Sequence, residues 1–150
     1  MALVEVVARR DIKAEPDDVL DAIADYKEVH PKLLPEQFTD YEVREGGDGE
    51  GTVLYLKLQA TSRRVRECLL DVTEPRDDTL VETDRNSTLV TTWTVVPVAE
   101  GGTGQARVTI QTTWEGAGGV GGFFERLFAP RALKAIYDQV LANLATETEK

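Results

Sequence analysis

Residues 115–128 read EGAGGVGGFFERLF, and how their glycines are understood decides the fold. Gly116-Ala117-Gly118-Gly119-Val120-Gly121 spells G-x-G-x-x-G letter by letter. A strand-like run, ARVTIQTTW (106–114), precedes it and a helix-like run follows. A dinucleotide-binding unit needs more: a second parallel strand after the helix, with an acidic residue at its end. No such strand is legible after the helix. The strands before it are joined by short turns, which makes them antiparallel. The glycines are therefore expected to form a crossover from the last strand to a terminal helix. A hinge that lets this helix lift from the sheet is a further reading.

Working outward, turn signals separate strand-like runs from residue 38 onward. FTDYEVRE (38–45) ends at GGDGEG, TVLYLKLQA (52–60) at TSR, and RVRECLLDVT (64–73) at EPRDD. TLVET (79–83) ends at DRNS, TLVTTWTVVPV (88–98) at AEGGTG, and QARVTIQTTW (105–114) at the glycines. With the valine-rich LVEVVARRDI (3–12), these make a seven-stranded meandering antiparallel sheet.

The period changes in AEPDDVLDAIADYKEVHPKLL (14–34). Pro16 suits a first helical turn, and Asp17 and Asp18 suit the positive end of the helix dipole. Val19, Leu20, Ile23 and Ala24 form an apolar stripe at helical spacing, and the helix is expected to end near Tyr26. Pro31 and Pro35 keep the next stretch short and irregular. The last segment, roughly 120–147, reads as helix, with Leu133, Ile136, Tyr137, Val140, Leu141 and Leu144 on one face. Pro130 starts a helical turn or kinks that helix.

Alternation gives the sheet one dry face. Leu54, Leu56 and Leu58 share a side, as do Cys68, Leu70 and Val72. Leu89, Trp93 and Val95 share another, and Val108, Ile110 and Trp114 a fourth. Lys57, Glu67, Asp71, Arg107 and Gln111 face away. The dry face must be covered, and the terminal helix and the short helices near 16–34 are the available covers. A long sheet curves as it twists. One straight helix leaves a concave remainder, either packed by Trp93, Trp114, Phe123, Phe124 and Phe128 or left as an apolar pocket, the usual form of a small-molecule site.

The order strand, short helices, six antiparallel strands and long terminal helix resembles the START-like, helix-grip superfamily. Within it the chain is similar to the bacterial polyketide cyclase/dehydrase and lipid-transport family. The residues carrying the resemblance are AEPDDVLDAIADYKEVHPKLLPEQFTDYEV, GEGTVLYLKL and GAGGVGGFFERLFAPRALKAIYDQVLANL, and it spans essentially the whole chain. It implies an α+β fold, a single domain over 1–150, and a deep cavity between sheet and C-terminal helix for lipids, polyketides or similar hydrophobic molecules. Some members catalyse cyclisation or dehydration, and many are carriers or sensors. The wall of that cavity is expected from Leu54, Leu56, Leu58, Cys68, Leu70 and Trp93, from Val95, Val108, Ile110 and Trp114, and from Phe124, Phe128, Ile136 and Tyr137.

Convergent catalytic groups are sparse. His30, the only histidine, lies far in sequence from Cys68, Ser62 and Ser87, and reads as a cavity-rim residue or a loop histidine. Arg64 and Arg66 share parity with Cys68 and Leu70, so they point inward at the cavity mouth, where an arginine grips an oxyanion, or form a surface pair. Tyr55 alternates to the outer face, whereas Tyr137 can offer its hydroxyl to the pocket. His30, Arg66 and Tyr137 are the speculative catalytic set of an enzyme reading. One Cys and one His do not make a structural zinc site, no EF-hand pattern occurs, and no cofactor is implied.

Composition narrows the partners. The chain has 150 residues, 41% hydrophobic and 29% charged, with a net charge of -10, which fits one folded domain. That charge repels nucleic acid and anionic lipid, and Glu67 interrupts the one tight basic cluster, Arg63, Arg64 and Arg66. A lone cysteine, Cys68, excludes an intramolecular disulfide and fits a reducing cytoplasm. MALVEVVARRDIK meets Glu5 too early for a secretory segment, and no apolar run approaches the roughly 20 residues that span a bilayer. Oligomeric state is left between monomer and weak homodimer through an edge strand. The expected role is a carrier or sensor of a hydrophobic small molecule. The alternatives are a cyclase/dehydratase using the same cavity and a protein-interaction module docking through its acidic surface.

Overall fold

The computed structural model describes residues 3–61, 64–99, 103–115 and 130–149. β1 (Leu3–Ile12) leads into α1 (Pro16–Ala24) and the one-turn α2 (His30–Leu33). Six strands follow: β2 (Phe38–Glu45), β3 (Val53–Thr61), β4 (Arg64–Arg76), β5 (Thr79–Asp84), β6 (Val90–Pro97) and β7 (Ala106–Glu115). The last element is α3 (Pro130–Thr148). All seven strands form one curved antiparallel sheet in the order β1-β7-β6-β5-β4-β3-β2. The βαβ unit that a dinucleotide site requires does not occur among the described residues. The glycine crossover, its hinge reading, and Phe123, Phe124 and Phe128 lie outside them.

The expected dry face is the core. Leu54, Leu56, Leu58, Cys68, Leu70, Val72, Trp93, Val95, Val108, Ile110 and Trp114 are all buried. So is the predicted stripe of α3, from Leu133 to Leu144. Fully burying one such side chain contributes about 1.5–3 kcal/mol. α1 adds Val19, Ile23 and Ala24, and Asn143 Nδ2 of α3 donates to the Leu33 carbonyl at 3.0 Å, tying α3 to the end of α2. The outer face is polar and paired: Asp71 with Arg85 at 2.7 Å, and Asp11 with Arg107 at 2.9 Å.

One boundary is shifted by two residues from expectation. α1 ends at Ala24 rather than near Tyr26, because the GGDGEG loop docks there. Tyr26 N donates to Gly47 O and Gly49 N to Ala24 O, each at 3.0 Å. Gly46 has φ 67, and a Cβ on it would lie 2.9 Å from Gly51 O, so this turn requires glycine there. The turn takes Tyr26 off the helix and drives its ring into the core, where it is fully buried. The described part of α3 starts at Pro130, and the rest of the stretch expected to be helical, roughly 120–129, lies outside the described residues.

Candidate functional site

Strand register puts one polar line across the dry face. Glu82 of β5 opposes Val72 on one side and Thr91 on the other, Thr91 opposes Thr112, and Thr112 opposes Val6. Glu82, Thr91 and Thr112 are 6%, 6% and 0% exposed, so three hydrogen-bonding side chains in register lie within the core. Buried polar groups need partners, and these find them on the helical layer.

At the β7 end, Thr91 Oγ1 and Thr112 Oγ1 are 2.7 Å apart, and Thr112 Oγ1 lies 2.5 Å from Tyr137 OH of α3. Three hydroxyls in series make two bonds, so every oxygen has a partner and one proton at an end of the series is left over. Burial pushes the Tyr137 phenol up to about 12, which keeps it protonated at neutral pH.

At the β5 end the chemistry is charged. Tyr26 OH donates to Glu82 Oε2 at 2.7 Å. Burial, reinforced by the nearby Glu82 carboxylate, holds the Tyr26 phenol well above its ordinary pKa. His30 Nδ1 lies 2.8 Å from the Ile23 carbonyl, which only accepts, so Nδ1 carries the proton. Nε2 is 3.7 Å from Glu82 Oε2. Burial lowers the His30 pKa, outweighing the opposing pull of Glu82 and of the Ile23 carbonyl. The ring is therefore neutral, with a lone pair on Nε2. It stacks on Tyr26 at 4.3 Å between centroids and meets Trp93 edge-on at 5.7 Å.

Between these clusters lies a cavity of about 40 Å³. His30, Glu82, Thr91 and Tyr137 supply its polar lining, and Leu56, Leu58, Cys68, Leu70, Leu89, Trp93, Ile110 and Val140 most of the apolar lining. Leu34 and Phe38 complete the wall and are the half-buried members of the described lining. Burial pushes the Cys68 thiol up to about 12, so this wall residue is no nucleophile at neutral pH.

Of the residues expected in the wall, Leu56, Leu58, Cys68, Leu70, Trp93, Ile110 and Tyr137 line the cavity. Leu54, Val95, Val108 and Trp114 are buried core beside it, and Ile136, also buried, borders a groove with Pro35 and Gln37. The loop-histidine and rim readings of His30 are corrected: the ring is 2% exposed because α2 folds it under Tyr26 and over Trp93. The surface-pair reading of Arg66 is also corrected. Its side chain is 10% exposed and lies 3.7 Å from the buried Asp84 carboxylate, away from the cavity lining. Asp84 accepts from Leu69 N, Asn86 N and Ser87 Oγ, which makes it an anchor for the β5–β6 turn. His30 and Tyr137 share one cavity, and Arg66 does not join them.

Glu82, Tyr26, Thr91 and Thr112 are site residues absent from the sequence-based set. A signal existed for the threonines, since Thr91 lies between Leu89 and Trp93 in the alternation, and Thr112 between Ile110 and Trp114. Among the described residues no group of three or more His, Cys, Asp or Glu side chains is arranged to hold a metal. None of their helices is long and apolar enough to cross a membrane.

A curved antiparallel sheet gripping a long C-terminal helix over an apolar cavity defines a START-like, helix-grip ligand-binding fold. Residues 4–149 match the family described as polyketide cyclase / dehydrase and lipid transport, and the chain belongs to it. It is similar to KanY protein, known from a solution structure, with 49% identity and a TM-score of 0.88 over 100% of both chains. The same fold occurs in a START superfamily protein from Mycobacterium smegmatis, with 12% identity and a TM-score of 0.71 over 97% of each chain. It also occurs in the Zhui aromatase/cyclase from Streptomyces sp. R1128, with 13% identity and a TM-score of 0.66 over 95% of this chain and 94% of that one. No curated protein matches the sequence.

Proposed function

We propose that this protein binds a hydrophobic small molecule of lipid or polyketide type between the sheet and α3, as a carrier or sensor. The observation that carries the reading is the cavity itself: apolar walls from five strands and α3, with a few polar groups among them. At about 40 Å³ the space takes the polar end of a guest, and the body enters as Leu34 and Phe38 swing aside. The lone free thiol, Cys68, fits work in a reducing cytoplasm.

The test is a thermal-shift and tryptophan-fluorescence screen of lipids and aromatic polyketides, with native mass spectrometry of freshly purified protein. A guest at 100 times its Kd should stabilise the fold by roughly 2.7 kcal/mol. Its fluorescence response should fall sharply in Trp93→Phe. No stabilisation across the whole screen overturns the proposal.

One observation favours a second reading, an enzyme of the cyclase/dehydratase kind. His30 Nε2 is a neutral base inside the cavity, beside a carboxylate that stabilises the imidazolium it would become. Its role would be to take a proton from an enolisable polyketone. On that reading His30→Gln loses about 10²–10⁴-fold in turnover. Wild-type turnover in that variant removes the reading.

A further inference from the structure

We infer that the guest of this cavity carries a hydroxyl (alcohol, phenol or enol) at its buried end, and that a carboxylate in the same place is refused. The inference rests on the ligand-site reading above and adds the chemistry of the end that enters.

The polar groups around the cavity do not match one another. His30 Nε2 and Glu82 Oε2 stand 3.7 Å apart, beyond hydrogen-bond distance, so neither satisfies the other. The Tyr26 proton serves only Oε2. Glu82 Oε1 accepts no hydrogen bond from any described residue, although the side chain is 7% exposed. On the donor side, the buried indole N–H of Trp93 has no acceptor among the described residues. In the Thr91–Thr112–Tyr137 chain every oxygen already has a partner, and two bonds use two of its three protons.

A hydroxyl fits these needs at once. Its proton goes to Nε2 or to the Glu82 carboxylate, and its oxygen can accept the Trp93 N–H. A bond to a charged or strongly basic acceptor is worth more than a neutral one, and leaving such groups unmet in the core is costly. A carboxylate brings a second anion to Glu82 inside an apolar enclosure, where like charges repel strongly. A bare hydrocarbon fills the apolar part and leaves the acceptors and the donor unmet.

Three guests with one body isolate the head group: 4-butylphenol, 4-butylbenzoate and butylbenzene. Calorimetry gives the affinities, and the indole N–H resonance of Trp93 gives the contact. The expected result is the phenol binding about tenfold or more tighter than butylbenzene, with the benzoate weakest. The Trp93 N–H resonance should move downfield for the phenol alone. In Glu82→Gln the preference for phenol over hydrocarbon should shrink. Equal affinities for all three overturn the head-group assignment and leave the cavity reading intact, as does a preference for the benzoate. No binding and no movement of the Trp93 resonance with any guest overturns both. The wild-type series decides the matter even if the variant does not fold.

Discussion

The two polar clusters on the inner face lie on one line of strand register, yet they are built differently. Thr91, Thr112 and Tyr137 are neutral, and each oxygen has a partner among the three. Tyr26, Glu82 and His30 include a carboxylate and a bare ring nitrogen, held in place by one donated proton and one backbone carbonyl. A neutral network in which every oxygen has a partner joins helix to sheet. An incomplete one, equally buried, is a poor stabiliser and a good receptor. Closure of hydrogen bonds, rather than burial, separates the structural polar residues of this core from the candidate functional ones.

The sharpest way to break that contrast is to remove one hydroxyl from each cluster. Tyr26→Phe leaves a buried carboxylate without its donor and should cost about 1.5–3 kcal/mol in urea unfolding. A cost below that of Tyr137→Phe would reverse the assignment. The next effect is in pH. Burial holds the folded His30 pKa below 6.5, so the unfolded chain takes up a proton that the folded chain refuses. Stability should therefore fall as pH drops below about 6.5, by at most about 1.4 kcal/mol per pH unit for one proton. His30→Gln should flatten this window. If urea midpoints at pH 7, 6 and 5 fall equally in variant and wild type, the histidine is not the cause. The carboxyls of Asp11 and Asp71, held low by their arginines, lose their contribution only in the more acidic carboxylate range.

At the closed cluster, Tyr137→Phe keeps the Thr91–Thr112 bond and should cost about 1 kcal/mol. A loss comparable to that of Tyr26→Phe would mean the hydroxyl chain is not neutral. The smallest effect belongs to Cys68, on the cavity wall. With its thiol pushed up to about 12, iodoacetamide at pH 8 should leave the native protein unlabelled over hours and label it at once in denaturant. Rapid native labelling would mean that the wall opens freely, and that the open cluster is wetter than drawn.

The framework of this molecule was legible because it is local. Alternation in TVLYLKLQA and RVRECLLDVT shows which side is dry, and the 3.6-residue spacing of Leu133, Tyr137, Val140 and Leu144 shows which stripe of the helix covers it. The open cluster was not legible because it depends on register and on a docked loop. TLVET can face inward through Leu80 and Glu82 or through Val81 and Thr83. Only the pairing of Val72 with Glu82 decides between them, and that information lies on another strand. His30 reads as a loop residue until the GGDGEG turn pulls Tyr26 out of the helix and under its ring. The threonines carried a readable signal, since a polar residue inside an apolar alternation asks for a partner.

The pairing of β1 with β7 has a consequence for how the chain is made. Val6 meets Thr112, so β1 waits for β7 to be synthesised before it gains this neighbour in the sheet. At typical ribosomal speeds that interval is roughly 5–20 s. Throughout it Val6, Ala8 and Ile12 lack their final cover, and Glu5, Arg9, Arg10 and Asp11 are the charges that guard the segment against pairing with another nascent chain. Completion of the sheet is thus a late, long-range event, and Thr112 arrives with it. The cluster of Thr91, Thr112 and Tyr137 can form only once β7 and α3 have been made, as a seal on a fold whose receptor side, from Tyr26 to Glu82, has already emerged.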